Sequence, residues 1–285
     1  LLLAEMPQIS EDGLTYRFKL KSGIKFQDNA CFPEGKGREL VSSDVIYSWK
    51  RLANNQNDPK SWWLLDGQIV GFDAYRDEQN AAVEGGGKFD YDKKVEGLKI
   101  LSDTEFEVTL TEPVYAFMWK LAMFQLAVVP REAVEHYGDQ FVRNPVGTGP
   151  FMLDSWEPRV NMAFVRNPNY WNETYPTEHM PEDAEMGFAK AAGKRLPLVD
   201  RVEITMFQED QTMWLEFETG NILYTQVPAE NFPQAFNKRT RELKPEYVER
   251  GIKAHAVPLL DFIFFGFNME DPLLGGNSVA PGTSN

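Results

Sequence analysis

The chain has 285 residues, 42% hydrophobic and 25% charged, with a formal net charge of −14. That length suggests about two domains of ordinary globular composition. An acidic surface without a Lys/Arg cluster repels phosphate backbones and excludes nucleic-acid binding, and no apolar run approaches the roughly 20 residues of a membrane span.

Cys31 is the one cysteine, so a disulfide within the chain is impossible. It lies beside Phe32-Pro33 with no nearby histidine and reads as an inert thiol. The chain opens Leu1-Leu2-Leu3-Ala4-Glu5, with neither an initiator Met nor a basic leader. It therefore reads as an excised piece of a longer protein.

In chain order, Leu14, Tyr16, Phe18 and Leu20 alternate with Thr15, Arg17 and Lys19. A period of two predicts a half-buried strand. Ser22-Gly23 turns the chain into Ile24 to Phe26. Ser42 or Ser43 is then placed to cap a helix carrying Val45, Ile46, Trp49, Leu52 and Ala53 on its apolar face. Asp44 in the first turn suits the positive end of the helix dipole, and Asn54 to Pro59 ends the helix. Glu84 to Gly87 reads as an exposed loop. Leu98 to Leu101 and Glu105 to Leu110 predict a hairpin around Asp103-Thr104. Val114 to Leu126 is apolar nearly all round, which predicts a buried helix introduced by Pro113. Pro130 starts and Gly138 stops a short helix over Arg131 to Tyr137.

Composition changes at Asn144 to Pro150, and a domain crossover is expected there. Strands follow near 151–156, 160–166 and 202–207. Thr174 to Arg195 is polar and charged and reads as a surface excursion. Asp210 is placed to cap a helix with Met213, Trp214 and Phe217, closed by Gly220. Asp261 to Asn268 reads as an apolar strand, and Gly275 to Asn285 has no periodicity.

No catalytic constellation is selected. His136, His179 and His255 share no motif, and no HExxH, CxxC, GxSxG or P-loop pattern occurs. His179 lies near Glu182 and Asp183, but Pro181 is expected to break the helix that would align them on a metal. The adjacent pair Trp62-Trp63 is the leading binding candidate. Neighbouring side chains on extended backbone face opposite sides, so the two tryptophans cannot both enter one core. Two readings stand side by side: the pair fills a small local core, or one ring lines a ligand cleft by stacking and apolar contact. Tyr170-Trp171, at a strand end, reads as structural.

Five blocks carry a resemblance. Glu11-Asp12-Gly13-Leu14-Thr15-Tyr16-Arg17-Phe18-Lys19-Leu20 runs into Lys21-Ser22-Gly23-Ile24-Lys25-Phe26. Ser43-Asp44-Val45-Ile46-Tyr47-Ser48-Trp49-Lys50-Arg51 follows. The third block is the longest: Gly147-Thr148-Gly149-Pro150 opens it and Arg166-Asn167-Pro168-Asn169-Tyr170-Trp171 closes it. Leu196 to Val202 and Phe217 to Ile222 complete the set. In this order they resemble family 5 extracellular solute-binding proteins, the peptide-binding components of bacterial ABC importers. The match departs at Gly220-Asn221-Ile222-Leu223, where the family more often has an acidic residue, and at the insertion-like Asn29 to Lys36.

The resemblance implies a mixed α/β fold of the type II periplasmic-binding-protein kind, partial and lacking most of its C-terminal lobe. It implies a small second domain over 1–146, the middle of the first domain over 147–258, and the start of a third over 259–285. It implies capture of oligopeptides or dipeptides outside the cytoplasmic membrane, by a periplasmic or membrane-anchored form. Delivery would be to an ABC permease, with no cofactor and no catalysis, by a monomer. In that family the loop after the first helix approaches the cleft, which favours Trp62 or Trp63 as a ligand contact. Half a cleft buries little ligand, so the segment alone is expected to bind peptide weakly or not at all. A ligand-sensing domain of a regulator and an acidic hydrolase are the alternative classes. Nickel complexes, sugars and haem are alternative ligands within the family.

Overall fold

The computed structural model describes residues 2–57, 60–256 and 264–268. The chain divides into two compact units, 1–206 and 207–285.

The first unit opens with a four-stranded antiparallel sheet in the order β1-β2-β4-β3. Its strands are β1 (Gln8–Ile9), β2 (Thr15–Lys19), β3 (Leu98–Ile100) and β4 (Glu105–Thr109). Register pairs Phe18 with Phe106 and Tyr16 with Val108, which puts all four on one face. That face is the core: the Phe18 and Phe106 rings stack at 4.9 Å, and Trp49 meets Phe106 edge-on at 6.0 Å. The alternate residues Arg17, Lys19, Glu105 and Glu107 form the wet face, where Arg17 pairs with Glu105 at 2.6 Å.

Helix α1 (Ser42–Ala53) covers the core face with Val45, Ile46 and Trp49 buried. Its start differs from the expected serine cap. Val41 precedes the helix, and the Asp44 carboxylate accepts the Val41 N–H at 2.9 Å. The Ser42 hydroxyl donates instead to the Asp103 carbonyl, tying the helix to the hairpin. A carboxylate serves here because it also holds an arginine, as described below.

Helix α2 (Phe72–Glu84) was not legible in the sequence. Its buried stripe is Phe72, Tyr75, Gln79 and Asn80, so half of it is amide rather than apolar. Gln79 accepts the Asp90 N–H, and Asn80 bonds the Asn55 N–H and the Ala53 carbonyl. Buried polar groups must be hydrogen-bonded, and these two splice α2 to its neighbours.

The segment read as a buried helix over 114–126 is corrected. Only Phe117–Leu121 (α3) is α-helical, followed by a 3-10 turn over Phe124–Leu126. Phe117 and Leu126 are buried, with Phe117 edge-on to Tyr16 at 5.2 Å, while Tyr115, Trp119 and Phe124 face solvent. The apolar character was real, but it serves two sides, one of them outward. Helix α4 (Arg131–Tyr137) starts after Pro130 and stops at Gly138 as expected.

A second sheet, order β5-β6-β7, follows the crossover: β5 (Phe151–Glu157), β6 (Asn161–Arg166) and β7 (Arg201–Thr205). The crossover and the Asn167–Trp171 corner are pinned to the segment after β2. Gln27 donates to the carbonyls of Gly147 and Pro145. Buried Asn167 donates to the Gly149 carbonyl, and Asn169 donates to the Phe26 carbonyl and to Asp28. Trp171 packs on the first core, with the Lys21 ammonium 4.0 Å from its ring centre. The 174–195 excursion is pinched at its neck by Thr174 and Arg195. Within it Pro181 begins helix α5 (Pro181–Glu185) rather than breaking one, since proline fits a first helical turn.

In the second unit, α6 (Asp210–Glu218), α7 (Phe232–Ala235) and α8 (Pro245–Glu249) gather around Trp214, Ala235 and Tyr247. Asp210 is the first helical residue, not a side-chain cap, because Glu209 occupies the capping position. Of the strand expected over 261–268, residues 261–263 lie outside the described residues, and 264–268 have no strand structure. The 275–285 tail also lies outside them.

Candidate functional site

Trp62 and Trp63 sit in one 3-10 turn rather than on the expected extended backbone, yet they still split between core and solvent. Trp62 is 7% exposed; its ring meets Phe72 edge-on at 5.2 Å and its indole N–H donates to Asp66 at 2.9 Å. The Arg76 guanidinium lies 4.9 Å from its ring centre. Trp62 is therefore a core residue. Trp63 is 57% exposed and presents its ring outward.

Three further exposed rings lie on the segment after β4: Tyr115 at 100%, Trp119 at 79% and Phe124 at 83% exposure. The two aromatic segments leave the same end of the first sheet. Ile69 bridges Leu110, the Thr111 N–H donates to the Gln68 carbonyl, and the Thr111 hydroxyl donates to the Gly67 carbonyl at 2.6 Å. Gly97 packs into this junction, where its Cα approaches the carbonyls of Val70 and Thr109 closely enough to leave no room for a Cβ. A rigid junction thus carries both the 62–68 turn and the 111–126 segment. Such aromatics offer large apolar contact with little side-chain entropy to lose. Sequence reasoning singled out Trp63 as a candidate and did not single out the other three. The available signal was the all-round apolar character of 114–126, since a helix of that kind needs cover on every side.

A concavity of about 480 Å³ lies between α1, α4 and the 91–92 loop. Its chemistry is self-contained. Arg38 grips Asp44 through two hydrogen bonds of 2.7 and 2.8 Å and reaches Glu132 at 2.6 Å. The Asp44 bond holds the Arg38 guanidinium charged far above its usual range, and Arg38 draws the Glu132 carboxyl down. Arg131 pairs with Asp92 and Glu135. Buried Lys50 donates to the carbonyls of Tyr91 and Lys93 at 2.8 and 2.7 Å, and burial lowers its pKa. Every cation here already has a partner, so the groove works as a clasp joining α1, α4 and the loop.

The remaining candidates are dispersed. Burial raises the Cys31 thiol, away from nucleophilic character. His136 stacks edge-on against Tyr137, and His179 lies within 3.2 Å of the Met180 carbonyl. Among the described residues no three His, Cys, Asp or Glu side chains are grouped to hold a metal.

The model of the bacterial extracellular solute-binding proteins, family 5 middle region, matches residues 1–279. A probable deoxycholate-binding periplasmic protein of Escherichia coli is 27% identical over 94% of this chain and 41% of its own length. The periplasmic oligopeptide-binding protein of Salmonella typhimurium is 31% identical over 57% of this chain and 27% of its own length. Among solved structures, an oligopeptide-binding protein of Borrelia burgdorferi superposes with a TM-score of 0.62 at 19% identity, covering 82% of this chain and 39% of that one. Peptide-bound OppA of Listeria monocytogenes gives 0.59 at 21% identity, with 84% and 40% coverage. The chain spans between about a quarter and two fifths of the length of these relatives. The fold is thus that of the type II periplasmic peptide-binding proteins, represented in part.

Proposed function

Because this chain belongs to the bacterial extracellular solute-binding proteins of family 5, we propose that its parent protein captures oligopeptides or dipeptides outside the cytoplasmic membrane. It hands them to an ABC permease and turns nothing over. The supporting observation is the aromatic surface, Trp63 together with Tyr115, Trp119 and Phe124, held on one braced junction. In this reading it is part of one wall of the ligand cleft. Peptide backbones suit such a wall because their amides supply sequence-independent hydrogen bonds while aromatic faces take the side chains.

The proposed domain division sets a small domain at 1–146, the middle of a larger one at 147–258, and the start of a third at 259–285. The first boundary falls at the crossover where Gln27, Asn167 and Asn169 fasten one sheet region to the next. A single working unit, without a second copy, completes the reading.

The test is mass spectrometry of small molecules released on denaturing the protein as its gene encodes it. Release of short peptides is expected. Release of a sugar or metal chelate would replace the substrate class. A ligand-free protein whose melting temperature ignores peptide mixtures would overturn peptide capture.

A further inference from the structure

The ion pairs of the groove between α1, α4 and the 91–92 loop engage its cations but not all of its oxygens. Ser43, Tyr47 and Lys50 recur at helical spacing, so one face of α1 walls this concavity of about 480 Å³. Ile46, Tyr91 and Ile100 add apolar lining. Tyr47 is only 8% exposed, yet its hydroxyl has no hydrogen-bond partner among the described residues. Buried polar groups ordinarily have one. This oxygen is not among the unpartnered atoms sealed from solvent, so it opens on the groove that Tyr47 lines. Burial pushes the phenol up to about 12, which keeps the hydroxyl protonated and neutral at pH 7.

The charges around it decide what it can receive. Arg38 takes both oxygens of Asp44 and both of Glu132. Lys50 gives two protons to carbonyls and lies 5.3 Å from the Tyr75 ring centre. Arg131 lies 5.7 Å from the Tyr47 ring centre and bonds one oxygen each of Asp92 and Glu135. Their second oxygens have no partner among the described residues. Three open acceptors, on Tyr47, Asp92 and Glu135, therefore gather about one guanidinium. The Asp92–Arg131–Glu135 trio carries one net negative charge. An incoming anion finds both arginines taken and two carboxylates facing it. An ammonium has three donors and no acceptor, the complement of this set, and its methylene stem suits the apolar lining. We propose that the groove is a second binding site, for a primary ammonium group on an aliphatic stem, separate from peptide capture. Its volume falls in the range of small-molecule sites.

The experiment is calorimetric titration of the gene-encoded protein with cadaverine and, as the anionic counterpart of equal carbon number, glutarate. Cadaverine is expected to bind and glutarate not to. Tyr47→Phe is expected to weaken cadaverine about 5- to 10-fold, the scale of one hydrogen bond to a charged group. The same variant should keep its melting temperature, because the hydroxyl it loses bonds nothing in the protein. Glu135→Gln should weaken cadaverine about threefold and reduce the salt dependence of its binding. Nα-acetyl-lysine amide separates the two sources of this group: binding as tight as cadaverine's would assign the groove to lysine side chains, and weaker binding to free amines. No heat from cadaverine at millimolar concentration, equal binding of glutarate, or cadaverine binding that Tyr47→Phe leaves unchanged would each overturn the site. None of these results bears on peptide capture.

Discussion

At the scale of single residues, two neighbours with the same side chain have opposite roles. Trp62 fills the core against Phe72, and Trp63 stands in water. Trp62→Ala is expected to cost about 3–5 kcal/mol, the range for emptying a buried aromatic site. Trp63→Ala should leave stability within about 0.5 kcal/mol, as exposed positions do. Urea unfolding of both variants checks the split, and similar losses would contradict it.

Asp28 makes a prediction in pH. Its carboxylate accepts from Lys36, the Gly37 N–H and Asn169, and the Lys36 bond leads in drawing its pKa from 3.8 down to about 2. A depressed folded pKa means the stabilisation is fully present above the unfolded value and is lost as pH falls through the folded one. The melting temperature of the wild type should therefore drop between about pH 4 and pH 2. Asp28→Asn should flatten that part of the profile. The side chain is one-third exposed, so screening by solvent keeps the amplitude small. An unchanged profile in the variant would remove Asp28 as the titrating tie.

At the scale of elements, the second sheet carries an unusual surface. Register places Leu153, Phe164 and Val202 in one row across it, and Trp156, Met162 and Ile204 in the next. Directly paired residues share a face, so six apolar side chains lie together, none of them fully buried. The opposite face is mixed: Met152, Val165 and Ala163 share it with Ser155, Arg201 and Glu203, and Arg201 pairs with Asp154 and Glu203. The 285-residue chain prepared alone is expected to bind a hydrophobic dye, since contiguous exposed apolar area attracts such ligands. Phe164→Lys should cut that fluorescence by roughly half, as it interrupts the middle of the patch. A chain that does not brighten the dye would show the face to be covered.

These same elements mark how far the sequence was legible. The period-two pattern of Leu14 to Leu20, the hairpin about Asp103-Thr104 and the strands after Pro150 could be read directly, because one face of each was patterned. Helix α2 could not, since Gln79 and Asn80 stand on its buried stripe and satisfy backbone groups that no periodicity records. The 114–126 segment misled for the opposite reason. Hydrophobicity reports a preference for leaving water, not which surface supplies the cover. Trp63 was reached as one of a candidate pair, on an argument from extended backbone that the 3-10 turn replaces. Tyr115, Trp119 and Phe124 did not, because their exposure is a property of the packed molecule.

At the scale of the whole molecule, the charged side chains of the first unit serve chiefly as fasteners. Ion pairs are spent on fastening α1, α4 and the 91–92 loop. The amide ladder at 147–169 fastens the crossover. At the end of the first sheet four aromatic rings face outward. On the proposed function, ligand is held at this end.

Hydrogen exchange of the gene-encoded protein, followed by mass spectrometry with and without a saturating peptide, tests that claim most directly. Ligand-induced protection is expected in peptides spanning 60–68 and 111–127, with the 91–93 loop and α4 unchanged. Demonstrated binding with protection confined to that loop and α4, or absent from both aromatic segments, would contradict it.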